Sequence, residues 1–416
     1  MRLITDLHIH SKYSRACSRD LTLENIALWC EKKGIDIVAT ADFTHPKWFS
    51  EIETKLVEAK PGLYRLKDGS SKTLFIMSTE LSQIYKKGDK TRRIHNVVLA
   101  PSIKVVRKIN EELERREFNL ASDGRPILGI DSEELYKILK NIDERILLIP
   151  AHAWTPWYSV FGSKSGFDSI EECFGSMASH IHAIETGLSS DPAMNGLVSG
   201  LDNIMLVSNS DAHSLRKLGR EANVFEMAHP SFDELARILR ERDVKSFLYT
   251  IEFYPEEGKY HADGCADCAF SCEPEESKRL GGRCPKCGKL LVIGVLNRVA
   301  ELSDRKEYKR NIPHKYIVPL EEIIAECFEV SSANSKRVQE EYERLVAKIG
   351  SEFYILLDAK PDEINAAASE SVIADAIMRV REGDLHIAPG YDGIFGKVRI
   401  FSKQDRLKKV KQTNLI

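Results

Sequence analysis

The sequence holds no apolar run long enough to cross a bilayer, so nothing in it reads as a membrane-spanning helix. It has no excess of either charge: 60 Lys and Arg stand against 63 Asp and Glu, for a net charge of −3. Global charge therefore offers no attraction for nucleic acid, and any such surface must be a local patch. There is no long-period repeat and no low-complexity tract. No charged leader with a cleavage site opens the chain, which gives the expectation of a cytoplasmic protein. Cysteines number nine, an odd count, and four of them form two C-x-x-C pairs. That favours metal binding in a reducing compartment over a disulfide framework.

What is present is an ordinary globular composition, 43% apolar and 30% charged over 416 residues, enough for two or three domains. From Met1 to about Ile251, β-rich runs alternate with helical stretches. The strands are expected at Arg2–Leu7, Asp36–Ala41, Thr73–Glu80, His95–Ala100, Ile146–Ala151, Ala183–Thr186 and Met205–Ser210. Amphipathic segments such as Leu23–Lys33, Ile103–Phe118 and Ser132–Leu139 lie between them. Alternation of this kind predicts an α/β fold with a parallel sheet, and seven strands in series favour a barrel. Barrel enzymes carry their catalytic groups at the C-terminal strand ends.

Those strand ends are rich in metal-ligating side chains. Alternation along the first strand puts His8 and His10 on one face. Asp42 follows the second strand, with His45 just beyond. Glu80 closes the third, His95 opens the fourth, and His152 follows the fifth. Glu185 and Asp191 accompany the sixth, and Asp211 and His213 the seventh. Any one of these alone reads as a cap or a satisfied polar group, but their agreement predicts a metal site at one rim. His and carboxylate ligands suit Zn²⁺ or Mn²⁺ better than Mg²⁺, which prefers oxygen. Two or three such ions suit phosphoester hydrolysis. Asp191 and Glu80 are the candidate catalytic carboxylates, and Glu80 can bridge two ions.

Cys265-x-x-Cys268 and Cys284-Pro-Lys-Cys287 have the spacing of a structural zinc ribbon. Cys272 and His261 lie nearby and are left outside the ligand set. Expected domains are 1–252 for the metal-dependent phosphoesterase, 253–294 for the ribbon, and 295–416 for a helical region with a basic tail. Pro361 to Ile377 has the apolar rhythm of a helix-hairpin-helix, but its turn lacks the usual glycines. Pro389-Gly390-Tyr391-Asp392-Gly393 marks a turn between two apolar runs.

Asp6-Leu7-His8-Ile9-His10-Ser11, Glu80, His95, His152 and Asp211-Ala212-His213 resemble the motif series of the PHP (polymerase and histidinol phosphatase) superfamily. The resemblance implies a distorted seven-stranded (β/α) barrel. It implies one ion on His8, His10, Glu80 and Asp211, a second on Glu80, His95 and His152, and a third on His213 with His45. Where many members have a further His after the first H-x-H, this chain has Ala16-Cys17; where they have Asp-His, it has Asp42-Phe43. The third ion would be held differently here, with Asp42 and Asp191 as replacement ligands. The barrel motifs, the Cys₄ ribbon, the helical region, Ile184 to Pro192 and Pro389 to Gly393 together resemble the endonuclease Q family.

That likeness implies DNA repair, with cutting on the 5′ side of deaminated bases (uracil, hypoxanthine, xanthine) and abasic sites to leave a 3′-hydroxyl and a 5′-phosphate. The implied cofactors are two or three Zn²⁺ at the rim, or Mn²⁺ or Mg²⁺ there, and one structural Zn²⁺ in the ribbon. The implied partners are damaged DNA and replication or repair proteins, with no membrane. Lys86, Lys87, Arg92 and Arg93, read as a basic loop leading to His95, and Arg216 after His213, are expected to meet backbone phosphates. Trp154 and Trp157, in an aromatic loop after His152, are expected to hold a base taken out of the stack. Two rival readings remain: a phosphatase of small phosphomonoesters, and a non-catalytic DNA-binding module with structural metals.

Overall fold

The computed structural model describes residues 1–307, 312–402 and 405, and the chain divides into two compact units. The first comprises 1–252 with 295–314, and the second 253–294 with 315–416. The segment read from sequence as the start of the C-terminal region therefore clusters with the first unit. Its helix Val295–Leu302 brings Arg298 to the carbonyls of Phe161 and Phe167, both at 3.0 Å.

Seven strands of the first unit frame the rim: β1 (Arg2–Asp6), β2 (Ile37–Ala39), β3 (Leu74–Lys87), β4 (Lys90–Ala100), β5 (Leu147–Pro150), β6 (Ala183–Glu185) and β7 (Met205–Val207). Parallel ladders join β1 to β2, β2 to β3, and β6 to β7. The β3–β4 and β4–β5 pairs are antiparallel, so the sheet is mixed and not the parallel one expected. Beyond these ladders, Ala153 N–H donates to Glu185 O at 3.0 Å, and His10 N–H to Ala212 O at 3.1 Å. Two further strands, Ala222–Glu226 and Phe247–Glu252, extend the sheet from β1 in antiparallel order.

The sequence placed a loop over Lys86 to Arg93; the structure instead runs β3 straight to Lys87 and turns at Gly88-Asp89. Gly88 takes φ +61°, as a two-residue hairpin turn requires. This extension is hard to see because polar residues are buried within it beside Leu81 and Tyr85. Ser82 and Gln83 are buried, Gln83 donating to Ile130 O at 3.0 Å.

Helices form where the amphipathic segments stood. Leu23–Lys33 is capped by Thr22 at its start and by left-handed Gly34 at its end, with Lys32 and Lys33 against the negative end of its dipole. Ile103–Arg115 and Ser132–Ile142 are capped by Ser102 and Asp131. The core gathers Leu3, Leu7, Ile37, Ile76, Val97, Leu99, Ile149 and Val207 from the strands with Phe232, Leu235 and Leu239 from the helix Phe232–Glu241. No helix among the described residues is long and apolar enough to cross a membrane.

The second unit has two small antiparallel pairs, Asp263–Cys265 with Phe270–Cys272 and His386–Ala388 with Lys397–Arg399. Five helices between Leu320 and Glu382 bury Ile323, Val338, Tyr342, Ile355, Ile364, Ile373 and Ile377. At the turn between Pro361–Ala367 and Val372–Glu382, Ser369 N–H donates to the Glu341 carboxylate at 2.7 Å. A carboxylate thus takes a donor that a DNA-binding hairpin would offer to phosphate. Of the basic tail, Lys403, Arg406, Lys408, Lys409 and Lys411 lie outside the described residues.

Candidate active site

His8 and His10 leave the end of β1 on one face, as alternation predicts, and both are buried. Two triads form around them: His8, His10 and Asp211; and Glu80, His95 and His152. In the first, Asp211 Oδ1 lies 3.0 Å from His10 Nε2 and 3.7 Å from His8 Nε2. In the second, Glu80 Oε1 lies 2.7 Å from His95 Nδ1 and 3.1 Å from His152 Nε2. Glu80 also joins them, its Oε2 standing 3.4 Å from His10 Nε2 and 3.7 Å from His8 Nε2.

Antiparallel register explains how β3 and β4 contribute. Ser82 pairs with His95 and Ile84 with Arg93, so Glu80, Ser82, His95 and Arg93 share one face. At other strand ends the backbone itself turns sharply. Asp42, His152 and Asp211 all have positive φ, at 41°, 31° and 47°, a strain that gathers at functional sites. Gly187 is required beside them, because a Cβ there would lie 2.6 Å from His152 Cβ.

The ligand set fits metal ions on an independent ground. Each of four imidazoles aims one nitrogen into the cluster and rests the other on a supporting oxygen. His8 Nδ1 meets Glu185 at 3.0 Å, and His10 Nδ1 meets Asp42 at 3.2 Å. His95 Nε2 meets Ser82 Oγ at 3.1 Å, and His152 Nδ1 meets Thr155 Oγ1 at 3.2 Å. Such outer partners set the tautomer and ring angle of metal-bound histidines. His8 Nε2 is buried without a hydrogen bond among the described residues, facing two carboxylate oxygens at 3.7 Å. Asp42, Glu80, Glu185 and Asp211 bring four carboxylates to the cluster, where the Arg125 guanidinium pairs with Glu80 and Arg220 with the Asp211 carbonyl, so with neutral imidazoles these groups leave a negative excess that divalent cations would neutralise.

Without ions, the protonation equilibria reflect that excess. Burial opposes charge on His8 and His10, but their carboxylate neighbours outweigh it and raise both well above the usual range. Burial also opposes charge on Glu80, yet His95, Arg125 and His8 hold it well below its ordinary value. Burial dominates at His95, which falls to about 4.

Several candidates sit elsewhere. Asp42 accepts from Ser11 N–H at 2.7 Å and from the Ser11 and Ser14 hydroxyls, rests against His10 Nδ1, and belongs to neither triad. His213 joins the first triad's edge, its ring 4.6 Å from that of His10. His45 belongs to neither triad and stacks on Tyr13, with ring centroids 4.4 Å apart. Asp191 caps the short helix Pro192–Asn195, accepting from Met194 N–H at 2.7 Å, and belongs to neither triad.

The basic and aromatic candidates divide in the same way. Lys86 and Arg93 lie on the ligand face of the β3–β4 hairpin, whereas Lys87 and Arg92 lie on the opposite face, both over the Phe167 ring. Arg216 lies over Trp29, 5.6 Å from its centroid. Trp154 is 1% exposed and donates to Asn195 Oδ1 at 2.7 Å, so it is core and not a base platform. Trp157 is 49% exposed, with Arg93 over its ring at 5.1 Å, and the neighbouring Tyr158 ring packs 4.6 Å from His95.

Arg125 escaped the sequence reading. Its Nη1 lies 2.9 Å from Glu80 Oε2. It comes from an irregular loop, with no strand end or motif to mark it. Only Gly124, where a Cβ would lie 2.4 Å from Asp42 Oδ2, shows how closely that loop must approach.

In the second unit, Cys265, Cys268, Cys284 and Cys287 converge with all sulfurs within 4.8 Å of one another. None of the nine cysteines is in a disulfide. Gly288 at φ +71° donates to Cys284 O at 2.8 Å, closing the second knuckle. Cys272 and His261 stand outside the cluster.

Comparison with known proteins gives two family-model matches, the PHP-associated family over residues 203–244 and the MJ0043 C-terminal domain over residues 319–384. An uncharacterized protein of Bacillus subtilis, YqxK, is 29% identical over 418 residues, 96% of this chain and 99% of its own length. The uncharacterized protein MJ0043 of Methanocaldococcus jannaschii is 32% identical over 256 residues, 59% of this chain but only 31% of that protein. Among solved structures, the lesion-specific endonuclease PfuEndoQ from Pyrococcus furiosus is 30% identical, covering 100% of this chain and 99% of that one at TM-score 0.86. Endonuclease Q in complex with a 27-mer duplex substrate bearing an abasic lesion at the active site is 31% identical, covering 97% and 98% at TM-score 0.84.

Proposed function

Because the chain belongs to the endonuclease Q family of the PHP superfamily, and so is a metal-dependent DNA endonuclease, we propose that it cuts DNA on the 5′ side of deaminated bases and abasic sites, leaving a 3′-hydroxyl and a 5′-phosphate. The observation that carries this reading is the pair of triads joined through Glu80, with each of four imidazoles held by its own outer oxygen. The seven strands are read as a distorted PHP barrel, and the four cysteines as the ligands of a structural zinc ribbon. His8, His10, Glu80 and Asp211 would hold one ion, and Glu80, His95 and His152 a second. His213, beside Asp211, is the candidate for a further ion.

Divalent ions held there would lower the pKa of a bound water and neutralise charge on the phosphate and the leaving oxygen. The chain's own part is to orient. Glu185 grips the His8 ring and accepts from His152 N–H at 3.0 Å, so one carboxylate steadies a ligand of each triad. Arg125, fixed on Glu80, would offer positive charge to a scissile phosphate held at the triads. Lys86 and Arg93 continue the ligand face outward as phosphate contacts, with Trp157 beside them as a stacking surface. Asp191 acts through the helix it caps.

The test is a cutting assay with Mn²⁺ or Zn²⁺ on labelled duplexes carrying a single uracil, hypoxanthine or abasic site. A nick 5′ to the lesion, absent in the unmodified duplex and abolished by Glu80→Gln, is the expected result. Release of inorganic phosphate from small monoesters without any nick would refute the reading.

A further inference from the structure

The Pro389 to Gly396 turn has no role in the reading above. Its tip is tight: Tyr391 N–H donates to Ile394 O at 3.0 Å, and Ile394 N–H to Tyr391 O at 2.8 Å. Asp392 and Gly393 between them have φ +44° and +84°, the signature of a type I′ turn. The turn is stitched to the segment 256–262 by backbone bonds. Gly390 N–H donates to Glu256 O at 2.8 Å, Gly396 N–H to Glu257 O at 3.1 Å, Gly393 N–H to Lys259 O at 2.9 Å, and Ala262 N–H to Gly390 O at 3.0 Å. At Gly396 a Cβ would lie 1.9 Å from Glu256 O, so only glycine permits this approach. Asp392 spends its carboxylate on Ala266 N–H at 2.7 Å, inside the Cys265–Cys268 knuckle. The turn is thereby anchored to the cysteine cluster.

This rigid turn presents apolar side chains to solvent. Phe395 is 68% exposed and Ile394 41%, beside Tyr260 at 37%. Lys259 spans the two aromatic rings, with Nζ 5.6 Å from the Tyr260 centroid and 5.7 Å from that of Phe395. Lys397 is exposed two residues beyond Phe395, while the turn's own carboxylate is already occupied. An aromatic tip flanked by lysines matches a polyanion that also offers flat apolar faces. Held in place by its backbone, it would lose little entropy on contact.

We propose that this turn is a DNA wedge, in which Phe395 with Ile394 enters the base stack at the lesion while Lys259 and Lys397 meet the flanking phosphates. The proposal rests on the reading of the chain as a lesion endonuclease. Its test uses the full chain without added metal, so that no cutting occurs, and a duplex with 2-aminopurine next to an abasic site. The wild type raises the 2-aminopurine signal as the base unstacks. Phe395→Ala lowers that rise and weakens binding roughly tenfold, about the size of one base–aromatic stack, and Phe395→Trp restores both. Equal binding and equal signal in wild type and Phe395→Ala would overturn the wedge, as would a wild type that causes no unstacking. Self-association by sedimentation that Phe395→Ala abolishes, with DNA affinity unchanged, would overturn it in favour of a second copy of this chain. Unstacking by a wild type that never nicks lesion duplexes would instead sink the cleavage reading alone.

Discussion

Glu185 shows how much a single residue outside the ligand set can carry. It was visible in the sequence only as one of two acids accompanying the sixth strand, yet it holds the His8 ring, His152 N–H and Asn209 Nδ2 together. Glu185→Gln should weaken metal binding about 10–100-fold, the usual cost of losing an outer partner. A fluorescence or calorimetric metal titration would check this. Glu252 makes a second residue-scale case. It is fully buried under Ser208 Oγ at 2.5 Å and Thr186 Oγ1 at 3.3 Å, and burial pushes its pKa up to about 7. A raised carboxylate pKa favours the protonated fold, so this contribution is complete below the unfolded value and is lost as pH rises through about 7. Glu252→Gln should match the wild type near the acid end. Above neutrality it should be more stable, by on the order of 3 kcal/mol. Thermal melts across pH would show the two curves diverging; parallel curves would be the contrary result.

At the scale of elements, the β3–β4 hairpin separates charges that the sequence reading had joined. A run of basic residues cannot show which of them share a face until the register is known. Here the register puts Lys86 and Arg93 with the ligands, and Lys87 and Arg92 against Phe167. Lys86→Ala and Arg93→Ala should each weaken duplex binding and reduce the salt slope by about 0.9. Lys87→Ala and Arg92→Ala should leave the slope unchanged and lower the melting temperature. The same argument covers the aromatic loop. Trp154 and Trp157 are three residues apart, but one is core and the other is at the surface. Trp157→Ala should reduce affinity for an abasic duplex several-fold, by the loss of one stacking surface, whereas Trp154→Ala should chiefly destabilise the fold.

At the scale of the whole molecule, the cysteine cluster lies in a region with a small core, in which Cys265 and Cys284 pack with Leu291, and a zinc ion held there would staple it. Cys284→Ser should remove one tightly held zinc per chain by elemental analysis. It should also raise protease sensitivity between about residues 260 and 295, and leave the metal titration of the rim ligands in place. By itself the sequence determined the strand ends that carry His, Asp and Glu and the paired cysteine knuckles. These follow from local rules: alternation along a strand, an apolar run ending at the rim, and knuckle spacing set by tetrahedral geometry. The family likeness was legible because those local signals occur together. Only the tertiary structure decided which carboxylates join the two triads and which rest against a histidine ring, that His45 stacks on Tyr13 outside both triads, and that Arg125 reaches Glu80 from an irregular loop. It also decided that residues 295–314 pack with the first unit. Those outcomes depend on register, on left-handed turns at Asp42, His152 and Asp211, and on contacts between residues far apart in the chain. No local pattern encodes these, because each is settled by which partner a buried polar group finds once the strands have paired.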